Sequence, residues 1–125
     1  MKKYLLIIII IALIAGAAYF IFTAPPTTTI AVSPQTWVIE YKENIFIPKE
    51  IKIKKGDTVI WINNSSESPV WPASAFHPTH NVYRGFDALK KINVGESYSF
   101  TFNKIGVWKY HDHLNPSVTG VVEIK

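Results

Sequence analysis

All four histidines of this 125-residue chain fall into two short clusters, His77-Pro-Thr-His80 and His111-Asp112-His113. Imidazole is the commonest transition-metal ligand among protein side chains, and the Asp112 carboxylate is a further donor. The chain has no cysteine, which excludes disulfides, iron–sulfur clusters, thiolate zinc sites and cysteine nucleophiles. The two clusters therefore predict a metal site whose candidate ligands are His77, His80, His111, Asp112 and His113.

The second cluster allows two arrangements. In an extended strand, Trp108, Tyr110 and Asp112 share one face, and His111 and His113 share the other. If the two aromatic side chains lie in a core, Asp112 points inward beside them. Alternatively, the His-x-His pair projects both rings to one side and chelates the metal. The sequence leaves both arrangements open.

The first cluster requires a turn. Pro78 disfavours a continuing strand, and a turn at this point would bring the rings of His77 and His80 to one side. An interpretation without a bound metal is also open: His80, Asp112 and His113 would then form a structural polar cluster that remains from a metal site the protein has lost.

Residues 1–22 are predicted to be a membrane anchor. After Lys2 and Lys3, the run from Tyr4 to Phe22 holds nineteen uncharged residues. As a helix it would span roughly 28 Å, close to the thickness of the bilayer's hydrocarbon core. The two lysines predict a cytoplasmic N-terminus and an extracytoplasmic domain. A signal peptide cleaved near Gly16-Ala17-Ala18 is the alternative, and it would secrete the same domain to the periplasm or the exterior.

The remainder is predicted to be a linker followed by one domain. Residues 23–36 are rich in proline and threonine and carry no charge, which is typical of a semi-extended linker. Residues 37–125 suffice for one small domain. Beyond the apolar run, eleven basic residues face nine acidic ones, a net charge of +2. This bias is too weak to predict nucleic-acid binding.

The domain is predicted to be all-β. Alternating or apolar stretches separated by turns predict short strands at intervals of about ten residues, typical of a β-sandwich or barrel. The predicted strands are residues 37–41, 45–47, 51–54, 58–62, 96–102, 107–111 and 118–124. Residues 67–91 show no strand pattern, but they hold too many aromatic residues for disorder. This segment is predicted to be an ordered loop packed over one end of the sandwich.

Three stretches resemble a cupredoxin domain: FIPKEIKIKKGDTVIWIN (46–63), VGESYSFTF (94–102) and GVWKYH (106–111). The resemblance covers residues 37–125. It implies a Greek-key β-sandwich with a copper site at one end. That site would be built from the long mid-chain loop and the loop before the last strand.

The ligand positions that the resemblance implies are only partly kept. His80-Asn81-Val82 matches the family's first histidine motif. The positions of the cysteine, second histidine and methionine ligands hold Asp112, Asn115 and Val118. Because a blue-copper centre needs the cysteine sulfur, that centre is excluded. The runs His-Pro-Thr-His and Tyr-His-Asp-His-Leu-Asn-Pro resemble instead a branch of cupredoxin-like proteins without cysteine.

Imidazole and carboxylate ligands suit copper(II), zinc, nickel and iron(II). The resemblance and the Irving–Williams order favour copper, and zinc is the alternative. Without thiolate or thioether ligands, copper(I) is held poorly relative to copper(II). The prediction is therefore a membrane-anchored protein that handles copper or transfers electrons, with a metal-delivery or redox protein as partner.

Two alternatives of other classes remain open. The first is a redox enzyme with a type-2-like copper, although no substrate site is visible and no nucleophile motif surrounds the serines. The sequence thus favours a binding protein over an enzyme. The second is a metal-free interaction domain that uses Trp71, Phe76 and Tyr83 as a docking surface.

Overall fold

The computed structural model describes residues 33–125 and, before them, eight helical positions at 4, 7, 9, 10, 13, 14, 19 and 20. The chain divides into two units, residues 1–32 and 33–125. Among the residues that are described, no helix is both long and apolar enough to cross a membrane. Most of the anchor predicted from Tyr4 to Phe22, and the linker up to residue 32, lie outside the described residues.

Residues 33–125 form two four-stranded sheets. The strands are β1 (Thr36–Lys42), β2 (Ile45–Ile47), β3 (Glu50–Ile53), β4 (Thr58–Asn63), β5 (Pro72–Ser74), β6 (Ser97–Thr101), β7 (Gly106–Asp112) and β8 (Asn115–Ile124). The first sheet has the order β2-β1-β4-β6, and the second has the order β3-β8-β7-β5. Strands β1 and β4 pair in parallel, as do β3 and β8, and the other pairs are antiparallel. The all-β sandwich predicted from the sequence is confirmed.

The core between the sheets is aromatic and centres on Trp61 of β4, which is completely buried. Its indole stacks on Phe86 and Tyr98, with ring centroids 4.9 and 5.7 Å away, and meets the edge of Tyr110 at 5.5 Å. Strand β4 lies between β1 and β6. Along β4, Val59 and Trp61 are buried in the core, whereas Thr58, Ile60 and Ile62 lie half-buried on the other face, beside the neighbouring strands.

The segment predicted to lack strands contains β5. All three of its residues are buried, and it pairs with β7 at the edge of the second sheet. A strand of three residues, one of them proline, shows no alternating pattern, so its sequence gives no strand signal. The rest of the segment is ordered, as predicted: Val70 and Ile92 exchange backbone hydrogen bonds, and Ser74 N donates to Phe86 O.

Candidate metal centre

His111 and His113 lie at the end of β7. Asp112 is the last residue of the strand, and His113 and Leu114 form the two-residue turn before β8. His111 pairs across the sheet with Thr119 on one side and Ala73 on the other. Residues directly opposite each other share a face of the sheet, and Thr119 is exposed. The His111 ring therefore lies on the outer face of the second sheet, away from the sandwich interior.

His77 and His80 lie on a turn that follows β5 and covers this outer face. The backbone N–H of His80 donates to Phe76 O at 2.8 Å, which closes the turn. His80 has a φ of +47°, in the left-handed region that side-chain-bearing residues rarely adopt. The turn brings the two imidazoles to the same side, with ring centroids 6.1 Å apart.

The four imidazoles converge. Each contributes one nitrogen to a group in which all four atoms lie within 4.8 Å of one another. His80 Nε2 and His113 Nδ1 lie within hydrogen-bond distance, 3.0 Å apart. The His77 ring lies with its centroid 4.7 Å from that of His113 and 5.5 Å from that of His111. The two sequence clusters thus build a single group, called here the four-histidine group.

Asp87 orients the His80 ring through a contact with its Nδ1. Its Oδ2 lies 2.6 Å from His80 Nδ1, and its Oδ1 accepts hydrogen bonds from Trp71 Nε1 at 2.6 Å and Leu89 N at 2.8 Å. Burial raises the pKa of Asp87, but these hydrogen bonds outweigh it and leave the pKa below its usual value. The carboxylate is therefore charged at neutral pH and holds a proton on His80 Nδ1. This leaves the lone pair of His80 Nε2 directed into the group, the arrangement typical of metal-binding histidines.

The electrostatics of the group favour a bound cation. His111 is 4% exposed, and its Nε2 is buried with no hydrogen-bond partner among the described residues. Burial, followed by the neighbouring imidazoles, lowers the pKa of His111 to about 4, and the same causes lower the pKa of His113. Both rings are therefore neutral at pH 7, the state in which imidazole binds metals. A metal ion would satisfy the unpartnered nitrogen, so the residues present fit a metal.

Asp112, the fifth candidate ligand, is not brought into the four-histidine group. Its Oδ1 accepts hydrogen bonds from Trp71 N at 2.8 Å and Leu114 N at 3.0 Å. Asp112 is itself buried. Burial raises the pKa of the core tyrosine Tyr41, and the nearby charge of Asp112 raises it further. Asp112 therefore faces the interior of the sandwich. The structure combines the two arrangements left open by the sequence: Asp112 points inward, as in the first, and His111 and His113 both face the four-histidine group, as in the second.

Sequence reasoning missed Asp87 and the contacts of Trp71 with the four-histidine group. The Trp71 indole packs on the His113 ring at 4.5 Å and donates to Asp87, so it supports ligands from both clusters. Neither residue belongs to a spacing motif with a histidine. The available signal is the isolated bridge that aligns Asp87 with Ala73 beside β7, and this appears only once the chain is folded.

No protein-family model matches the chain, and no curated protein matches it. Solved structures do match. A purple cupredoxin from Nitrosopumilus maritimus is 25% identical with a TM-score of 0.62, and the match covers 71% of this chain and 99% of that one. An amicyanin variant in its Cu(I) form is 27% identical with a TM-score of 0.60, covering 75% and 86%. The domain has a cupredoxin-like fold.

A third match shows the fold alone. A copper-containing nitrite reductase from Thermus scotoductus is 21% identical with a TM-score of 0.63, and the match covers 84% of this chain but 26% of that one. In the present cupredoxin-like domain, Asp112 stands where the sequence resemblance places the cysteine ligand, and it faces the interior. The four-histidine group lies on the opposite face of β7. It is therefore displaced from the position that the resemblance implies for that ligand.

Proposed function

We propose that this chain is a membrane-anchored, extracytoplasmic cupredoxin-like protein that binds copper through His77, His80, His111 and His113. The observation that carries the proposal is the convergence of four imidazole nitrogens within 4.8 Å. Two of these rings have lowered pKa values, and one nitrogen is buried without a partner among the described residues. Such a group is costly in a metal-free fold, because a buried unsatisfied polar atom costs about 1–3 kcal/mol.

Copper is favoured over zinc by two arguments. For a given set of nitrogen ligands, copper(II) binds more tightly than the other divalent first-row metals. The similar structures include an amicyanin in a Cu(I) form, which is 27% identical. When bound, copper would supply a one-electron redox centre without the thiolate of blue-copper sites. Imidazoles alone favour copper(II), so the proposed role is copper handling first and electron transfer second.

The membrane location rests on the apolar run from Tyr4 to Phe22 and the two lysines before it. Fractionation of cells that express the full chain tests this part. The expected result is a protein that stays in the membrane fraction after a high-salt or carbonate wash, with the domain accessible to protease from outside. A soluble form that begins near Ala18 or Tyr19 would support the cleaved signal peptide instead.

Metal analysis tests the binding function directly. The full-length chain, purified in mild detergent without a histidine tag, is expected to carry about one metal ion per chain after equilibration with copper(II). Competition with zinc(II) separates the two candidate metals. Preferential zinc retention would support the zinc-binding alternative. A chain that retains neither metal would support the metal-free interaction domain.

A further inference from the structure

A cleft of about 450 Å³ opens on the outer face of the second sheet, beside the four-histidine group. Two of the four imidazoles, His77 and His111, line it. Its walls come from separate parts of the chain. They include the charged side chains of Lys49, Glu50 and Lys109 and the apolar side chains of Phe76, Pro116 and Val121.

The cleft has the size of a small-molecule site. Pockets that bind small ligands have volumes of roughly 300–1,000 Å³ and combine apolar walls with a few polar groups. The Phe76 ring is 71% exposed beside the cleft, although an aromatic ring of this size usually buries much of its surface. An apolar ligand body in the cleft would cover it.

The charges of the cleft favour an anion. Lys49 and Lys109 are exposed, and within the described part of the chain neither ammonium group pairs with a carboxylate. Glu50 supplies one opposing charge, so the three side chains together carry +1. This excess matches a ligand with a single negative charge, and a metal ion at the adjoining imidazoles would strengthen the attraction.

We propose that the cleft binds a small organic monocarboxylate, with its carboxylate toward His77 and His111 and its carbon body against Phe76. The inference rests on the proposed function, because the metal ion is part of what the carboxylate meets. It extends that function, since a ligand in this cleft reaches the metal group without displacing His80 or His113, which do not line the cleft.

The test uses the full-length chain loaded with copper(II) and titrated with benzoate, followed by the copper electron paramagnetic resonance spectrum and the visible absorption. Benzamide, which has the same shape without the charge, is the ligand control. Benzoate is expected to shift both spectra saturably, whereas benzamide at the same concentration is expected to leave them unchanged.

Lysine variants locate the anion. Lys109→Gln is expected to raise the apparent benzoate Kd about 1.5- to fivefold, the range for losing one charge contact near the surface. Lys49→Gln combined with Lys109→Gln is expected to raise it further. Lys55→Gln is the matched control, because it removes the same charge from an exposed lysine that does not line the cleft.

These experiments distinguish failure of the cleft proposal from failure of the proposed metal-binding function. A chain that binds copper but gives no benzoate shift, or the same shift with benzamide, overturns the cleft proposal and leaves the metal function intact. Equal benzoate affinity in the Lys109 and Lys55 variants also overturns it, because the anion would then bind at the metal without the cleft. A chain that binds no metal overturns the proposed function, and this inference with it.

Discussion

His80 Nε2 lies 3.0 Å from His113 Nδ1, although the two residues are 33 positions apart in the sequence. Because Asp87 holds a proton on His80 Nδ1, a neutral His80 presents a lone pair at Nε2. In the metal-free chain His113 Nδ1 must then be the donor across this contact. A metal ion that binds both nitrogens takes the place of that proton, which moves to His113 Nε2, so metal binding changes the tautomer of His113 and leaves the ring neutral.

The first prediction concerns Asp87, which acts on the metal group through His80. In Asp87→Asn, the amide oxygen can still accept the Trp71 indole N–H, but the amide NH₂ then faces His80 Nδ1. A donor at this position forces the His80 proton onto Nε2, where it competes with the metal. The affinity for copper(II), measured by calorimetric titration, is expected to fall about 10- to 100-fold.

Asp57→Asn is the matched control for Asp87→Asn. Asp57 also accepts an indole N–H, from Trp37 at 2.9 Å, and backbone N–H groups from Gln35 and Lys54, each at 2.8–2.9 Å. It lies outside the four-histidine group. Asp57→Asn is expected to lower the free energy of unfolding without changing metal affinity. If both variants lose metal affinity equally, Asp87 acts through general stability and not through the tautomer of His80.

Strand pattern was enough to predict an all-β sandwich or barrel, and the family resemblance selected the sandwich. The alternation of Ile51 and Ile53, and the two-sided apolar run from Thr58 to Ile62, correspond to β3 and the interior strand β4. The spacing of the histidines also selected the residues that converge. Pro78 in His-Pro-Thr-His favours a turn, and strand alternation predicts His111 and His113 on one side, although His113 lies in the turn just after β7. Local rules of this kind need no knowledge of the rest of the fold.

The remaining features depend on contacts between distant residues. Asp87 reaches His80 because residues 70–92 fold back beside β7, and no local pattern encodes that path. Strand alternation places His111 on the same face of β7 as Lys109, which is exposed. The structure buries His111 because the turn from His77 to His80 covers it. Burial by a distant loop is invisible to strand periodicity.

The second prediction follows from the absence of cysteine. The copper(II)-loaded chain is expected to show weak d–d absorption and a wide parallel hyperfine splitting, because no thiolate delocalises the unpaired electron. Absorption and electron paramagnetic resonance spectra of the full-length protein check this. An intense visible charge-transfer band of the blue-copper type would contradict the assignment of an all-imidazole site.

The third prediction concerns Gly120 in β8, which faces Tyr110 in the register of β7 and β8. A Cβ at Gly120 would collide with the ring and hydroxyl of Tyr110. Gly120→Ala is expected to lower the free energy of unfolding by about 1–3 kcal/mol, as overpacking does, measured by urea denaturation. In a Tyr110→Leu background the loss should shrink, because the colliding atoms are gone. Equal losses in both backgrounds would show that the collision is not the cause.

The fourth prediction is a pH dependence of the metal-free chain. Burial and the neighbouring imidazoles lower the pKa of His111 to about 4 in the folded state, whereas an unfolded histidine titrates near 6.5. Between these values the unfolded chain binds more protons, so stability falls as the pH drops from about 6.5 to about 4. Thermal unfolding across this range measures the effect.

A glutamine at position 111 removes this titration. His111→Gln is therefore expected to flatten the loss of stability between pH 6.5 and 4, while His77→Gln, at an exposed position, serves as the control. Burial raises the pKa of Asp112, which acts in the opposite sense near the acid end because the folded carboxyl takes up its proton first. An unchanged slope in His111→Gln would contradict the assignment to this ring.

The last prediction tests whether the two histidine clusters hold one metal ion. His80 and His113 come from different clusters and face each other across 3.0 Å, so each single alanine variant removes one side of a shared site. Each is expected to weaken copper(II) binding by more than about 100-fold, because losing a ligand costs more than losing its hydrogen-bond partner. His77→Ala should weaken binding least, since its side chain is exposed.

The double variant His80→Ala with His113→Ala is expected to abolish binding, while its far-ultraviolet circular dichroism stays native because the buried hydrophobic core contains no histidine. Calorimetric titration of copper(II) and zinc(II) into the wild type and the four variants measures these effects. Wild-type affinity in the double variant would mean that the converging nitrogens do not share a metal ion, and the four histidines would then be a structural polar cluster.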